Sequence, residues 1–68
     1  MAAPKTDVDL RKVLLRAVTE RWVDSAKIVE QIHRRHPQIA ASAIRAEIWD
    51  AIGAGQIRID WSAKVKRA

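Results

Sequence analysis

Apolar residues recur at helical spacing near the start of this chain. Between Val8 and Trp22 they fall three or four positions apart, which is the pattern of an amphipathic helix. Thr6 precedes this stripe as a capping residue, and Asp9 is favoured by the dipole at a helix N-terminus. The pattern therefore predicts a first helix that extends to Trp22, preceded by a flexible tail over residues 1–5.

A second helical segment follows and ends at a proline. Asp24 or Ser25 is suited to cap this helix. Because Pro37 cannot continue a helix, we expect the segment to end at about His36.

A third helical segment, over residues 42–53, opens at another capping residue, Ser42. Glycine readily adopts the left-handed conformation at a helix C-terminus, so Gly53 and Gly55 are expected to end this helix. Its predicted core face consists of Ile44, Ile48, Ala51 and Ile52.

The apolar period changes to two after Gly55. Residues 56–61 and 63–67 alternate apolar and polar positions, which is typical of strands, and a turn at 61–63 would join them in a hairpin. The alternation places Trp61 on the inner face, and we expect the three Trp, the only aromatic residues, to fill the core. The alternative for Trp49 and Trp61 is to stack on a base or wedge into a DNA groove. The chain is thus predicted to be mainly α-helical with a small β-hairpin.

The segment from Ser42 to Asp60 resembles part of the winged helix-turn-helix family, namely its recognition helix, glycine turn and first wing strand. The resemblance extends over residues 7–67 and implies three helices and a C-terminal wing in one domain, residues 6–68. It further implies binding of double-stranded DNA, with helix 42–53 in the major groove and the wing, residues 56–67, on the backbone or in the minor groove. The residues whose spacing carries this resemblance are Ile48, Trp49, Ile52, Gly55, Ile57 and Ile59.

The charge of the chain favours an anionic partner. Thirteen basic and eight acidic residues give a net charge of +5 over 68 residues. Residues 56–68 alone carry four cations and one acid. If five or six phosphates are neutralised, affinity should fall with log salt at a slope of about −5.

The expected DNA contacts come from the third helix and the wing. Arg45 can pair with guanine through two hydrogen bonds, and Ser42 with the first helical amides can hold a phosphate. Glu47 and Asp50 on the same helix repel phosphate. The predicted DNA-binding residues are Ser42, Ala43, Arg45, Ala46, Trp49, Arg58, Lys64, Lys66 and Arg67.

Other chemistry has little support. Cysteine is absent, and no third ligand accompanies His33 and His36, so we expect no metal, no cofactor and no small-molecule substrate. The acidic residues are scattered and no phosphate-binding Gly loop is present, so a non-enzyme is predicted. No membrane span or signal-peptide pattern is found, and a cytoplasmic, nucleoid-associated protein is expected.

Two functional classes stay open from sequence alone. The first is a DNA-binding protein of transcriptional control, or of a phage or mobile element. The second is a protein-interaction module on the same scaffold, which Trp49 and the acids of the third helix favour. A homodimer fits the first class, since one recognition helix contacts only a few base pairs.

Overall fold

The computed structural model describes residues 9–68, which form three helices and a three-stranded antiparallel sheet. The predicted tail and the predicted cap Thr6 lie outside the described residues. The mainly helical architecture with a C-terminal hairpin agrees with the prediction. In chain order the elements are α1 (Leu10–Ala17), β1 (Val23–Asp24), α2 (Ser25–Arg35), α3 (Ala41–Gly53), β2 (Ile57–Ile59) and β3 (Lys64–Arg67).

Helix α1 is shorter than predicted and ends at Ala17 instead of Trp22. Asp9 caps its start by accepting a hydrogen bond from the Lys12 amide at 3.2 Å. At the other end Val18 is extended, with φ −86° and ψ 127°, and the segment that follows is drawn into the sheet. Pairing with β3 thus overrides the helical spacing of the apolar residues after Ala17.

The sheet has β3 at its centre, with β1 and β2 on either side. Val23 and Ile59 both lie opposite Val65, so these three side chains share the face that packs on the helices. The first strand is an addition to the predicted hairpin. A strand of two residues is too short to display any alternation in the sequence.

Helix α2 matches the prediction, whereas the start of α3 does not. Asp24 caps α2 by accepting from the Ala26 amide at 3.0 Å. Ala40 occupies the N-cap of α3 without a side-chain hydrogen bond, so the prediction that Ser42 caps this helix is wrong. After the helix, Gly55 adopts a left-handed φ of +79°, as the sequence predicts.

The core is aliphatic throughout, and the prediction that tryptophans fill it is wrong. Trp22, Trp49 and Trp61 are 42%, 61% and 97% exposed. Strand β2 ends at Ile59, so the alternation that pointed Trp61 inward does not reach it. The buried residues are Leu14, Val18, Ile28, Val29, Ile32, Ile44, Ile48, Ala51, Ile57 and Val65.

Candidate nucleic-acid interface

Helix α3 presents one face to solvent. Burial of Ile44, Ile48 and Ala51 fixes the rotation of the helix against the core, as predicted. Half of the residues on the opposite face have small side chains, which leave the helix backbone accessible there. Its exposed residues are Ser42, Ala43, Arg45, Ala46, Trp49 and Asp50.

Glu47, one of the two acids of α3 expected to repel phosphate, is turned away from this face. Its carboxylate accepts a hydrogen bond from Nε of Arg11 on α1, and the two side chains are only 23% and 31% exposed. Arg11 also donates through Nη1 to Oε1 of Gln56 at 2.6 Å. Arg11 therefore belongs to the contact between α1 and α3 and not to a solvated face of α1. On the exposed face of α3, the charge of Arg45 is offset by that of Asp50 alone.

A groove of 280 Å³ lies beside the exposed face of α3. It separates this helix from the first turn of α2 and from the turn of the β2–β3 hairpin. Ala63 of that turn accepts a hydrogen bond from the Ser25 amide at 3.1 Å, which ties the hairpin to α2. The lining is mostly apolar and consists of Ser25, Ala26, Val29, Arg45, Ile48, Trp49, Ile59 and Ala63.

The hairpin turn is held by one carboxylate. Oδ1 of Asp60 accepts hydrogen bonds at 2.9 Å from the Ser62 amide, the Ser62 hydroxyl and the Lys64 amide. The bond from the Lys64 amide is the largest cause that lowers the pKa of Asp60 below its ordinary value of 3.8. Ala63 adopts a left-handed φ of 66° where glycine is usual, so the Asp60 network replaces the turn residues absent from the sequence.

Three predicted DNA contacts share the solvent face of the sheet, namely Arg58, Lys64 and Lys66, and we call them the cationic sheet face. Arg58 lies directly opposite Lys66 in the register of β2 and β3, and Lys64 lies two residues before Lys66. Nζ of Lys66 is 5.1 Å from the ring centroid of Trp22, a cation–π distance. The structure therefore brings these three cations together.

Arg67, predicted to contact DNA with the other cations of the wing, lies apart from them. Its Nη2 donates to the carbonyl oxygens of Leu15 at 3.2 Å and Val18 at 3.3 Å, at the C-terminus of α1. Its amide donates to Thr19 at 2.7 Å. The alternation of strand residues already indicated this separation. Arg67 is two residues after the inward-facing Val65 and therefore lies on the same face of the sheet as Val65, opposite to Lys64 and Lys66.

The basic cluster at the end of α2 faces a different part of the surface. Nδ1 of His33 donates to the carbonyl oxygen of Ile39 at 2.7 Å and so holds the connector to α3. The neighbouring arginines border a cleft of 810 Å³ between α1 and α2. The residues of α2 that line this cleft lie on the opposite side of the helix from those that line the groove beside α3. The cationic residues of this cleft are Arg16, Arg34 and Arg35, with His36 beside them.

Residues 9–68 contain no group of three or more His, Cys, Asp or Glu side chains that could hold a metal ion. Among the helices in the same range, none combines the length and the apolar character needed to cross a bilayer. Comparison with models of known protein families, with curated proteins and with solved structures finds no match.

Proposed function

We propose that this chain is a winged helix-turn-helix domain that binds double-stranded DNA, with α3 in the major groove and the hairpin on the adjacent backbone or minor groove. One observation carries the proposal: the exposed face of α3 and the hairpin turn border the same groove, where Arg45 and Trp49 lie with Ala63. A helix and a hairpin so placed can contact one duplex together.

The order of elements supports this proposal. Helix, strand, two helices and two strands follow one another, and β3 pairs with both other strands. This layout resembles that of winged-helix domains, in which the second and third helices precede the wing. The connector over residues 36–40 is longer than the three or four residues typical of a tight helix-turn-helix.

The exposed face of α3 suits close approach to DNA. The helix has 13 residues and is therefore about 20 Å long. Ala43 and Ala46 present only methyl groups, so the backbone can approach base edges, while Arg45 can donate two hydrogen bonds to guanine. Ser42 and the amides of the first turn are the expected phosphate contacts.

The cationic sheet face supplies most of the electrostatic attraction to DNA, which the exposed face of α3 lacks. Without Arg67, the proposed interface contains four cations, namely Arg45 and the three of the sheet. Because Arg45 is assigned to a base edge, the three cations of the sheet face give three phosphate contacts and a slope of about −2.7 for the logarithm of affinity against the logarithm of salt concentration, which is shallower than the −5 expected from sequence.

Fluorescence anisotropy with a labelled duplex of mixed sequence tests this proposal. Binding is measured between about 50 and 200 mM salt for the wild type and for the triple variant Arg58→Ala, Lys64→Ala, Lys66→Ala. We expect the variant to bind more weakly at every salt concentration and its slope to be shallower by about 2.7.

A matched control removes the same charge from another surface. The variant Arg16→Ala, Arg34→Ala, Arg35→Ala empties the cleft between α1 and α2 of its arginines. We expect it to retain the wild-type slope. Equal losses of affinity in the two triple variants would show that binding depends only on net charge, and would contradict the proposed interface. No binding even at low salt would contradict DNA binding itself.

A protein-interaction module is the second candidate function. It is favoured by Trp49, which is 61% exposed at the edge of a mostly apolar groove. In that case the cationic sheet face contributes little to partner binding, whereas Trp49→Ala weakens it strongly.

If DNA is the partner, the domain acts in the cytoplasm on the nucleoid, in transcriptional control or in a phage or mobile element.

A further inference from the structure

The tip of the β2–β3 hairpin holds the most exposed of the three tryptophans. Trp61 is 97% exposed and takes no part in the core, which is complete without it. Residues of this type usually bury much of their surface. A fully exposed indole at a turn therefore points to a partner that covers it.

The backbone that carries Trp61 is fixed. Asp60, immediately before it, accepts three hydrogen bonds from the two residues Ser62 and Lys64 that close the turn. The Ser25 amide donates to Ala63 and so anchors the other side of the turn to α2. Because these hydrogen bonds already hold the turn, little backbone conformational entropy is lost when Trp61 is covered.

The surroundings of the tip are those of the proposed DNA interface. Ile59 and Ala63, two residues before and after Trp61, both line the groove that contains Arg45 and Trp49. Arg58 and Lys64 lie on the same hairpin and face solvent. The carboxylate of Asp60 is engaged inside the turn, so the neutral indole is the group that the hairpin presents at its end.

Resting on the DNA-binding function proposed above, we propose that Trp61 is an apolar wedge that enters the minor groove and unstacks one base step beside the site of α3. Apolar side chains that enter this groove separate base pairs and bend the duplex. The cost is lowest at flexible pyrimidine–purine steps such as TA, so such a step is the expected target. The flanking cations Arg58 and Lys64 would hold the phosphates on either side.

The test uses the full chain and a duplex in which 2-aminopurine replaces the adenine of a single TA step. This base fluoresces more strongly when unstacked, while a dye at the duplex end reports binding by anisotropy. We expect the wild type to raise the 2-aminopurine signal on binding. Trp61→Ala should bind about 5- to 100-fold more weakly and should leave the signal flat at saturation.

Two further variants separate the wedge from general affinity. Trp61→Phe should keep part of the signal, because phenylalanine also acts as a wedge. Trp61→Lys should bind through its added charge without raising the signal. Since the side chain is 97% exposed, all variants should fold like the wild type, as checked by thermal melting.

The outcomes distinguish the wedge from the function on which it rests. Binding by the wild type without unstacking, or an unchanged signal in Trp61→Ala, would overturn the wedge and leave DNA binding in place. The same affinity in all variants would show that Trp61 takes no part in DNA binding, which also overturns the wedge. No binding to any duplex at low salt would overturn the DNA-binding function and the wedge with it.

Discussion

The guanidinium of Arg11 on α1 donates to the carboxylate of Glu47 on α3, and this ion pair joins two helices that are 36 residues apart at the contact. Both side chains are partly buried. The pair has two consequences: it strengthens the packing of α3, and it removes a negative charge from the face proposed to meet DNA.

A double-mutant cycle on this pair should give a coupled loss of stability. We expect Arg11→Ala and Glu47→Ala each to lower the free energy of unfolding by about 1–2 kcal/mol, since each leaves a partly buried charge without its partner. The double variant should lose less than the sum of the two. Urea denaturation measures all three, and strictly additive losses would show that the pair contributes nothing.

Arg67 is expected to act on stability and not on DNA affinity. Replacing it with Ala removes the two hydrogen bonds that Nη2 donates to the carbonyl oxygens of Leu15 and Val18 at the end of α1, and should cost about 1 kcal/mol. The salt dependence of DNA binding should stay unchanged. In Lys64→Ala, by contrast, the slope of log affinity against log salt should become shallower by about 1. Thermal melting and anisotropy of the two variants provide the comparison. A loss of slope with unchanged stability would place Arg67 in the DNA interface after all.

The left-handed residue of the hairpin offers a stabilising substitution. Ala63 has a φ of 66°, a conformation that costs a residue with a Cβ about 1–2 kcal/mol and glycine very little. We expect Ala63→Gly to raise the melting temperature by several degrees. The control is Ala54→Gly, since Ala54 is right-handed with φ −82°. It should be neutral or destabilising, and a similar gain in both variants would refute the explanation.

Acid should weaken the hairpin through Asp60. The hydrogen bonds that it accepts make its pKa lower in the folded chain than the ordinary value of 3.8. Their contribution to stability is therefore full above about pH 4 and is lost as the pH falls through the folded pKa. Asp60→Asn should lower the melting temperature near neutral pH and do so less at about pH 3. A difference that stays constant over this range would exclude the carboxylate as the cause.

The helical core was predictable from sequence because it depends on spacing within single elements. Ile44, Ile48 and Ala51 follow the helical period and are buried as predicted. Ser42 shows the limit of local signals: it is a good capping residue, yet α3 begins one residue earlier, at Ala41. Tertiary packing of the apolar face sets the start of this helix, and the cap does not.

Features that depend on pairing between distant segments were not predictable in the same way. Nothing local marks Val23–Asp24 as a strand, because its partner β3 lies about 40 residues later. Trp61 continues an apolar alternation that the Asp60 turn interrupts. Of the predicted DNA contacts, the structure places all but Arg67 on the exposed face of α3 or on the cationic sheet face.

A chemical-shift map of the full chain titrated with duplex DNA tests the central proposal most directly. We expect the largest shifts of backbone amides on the exposed face of α3 around Arg45 and in the hairpin over residues 58–66, including the indole signal of Trp61. Arg16 and Arg35, in the cleft between α1 and α2, should move little. Shifts concentrated in that cleft, or the same pattern with a simple anion such as sulfate, would contradict the proposed interface.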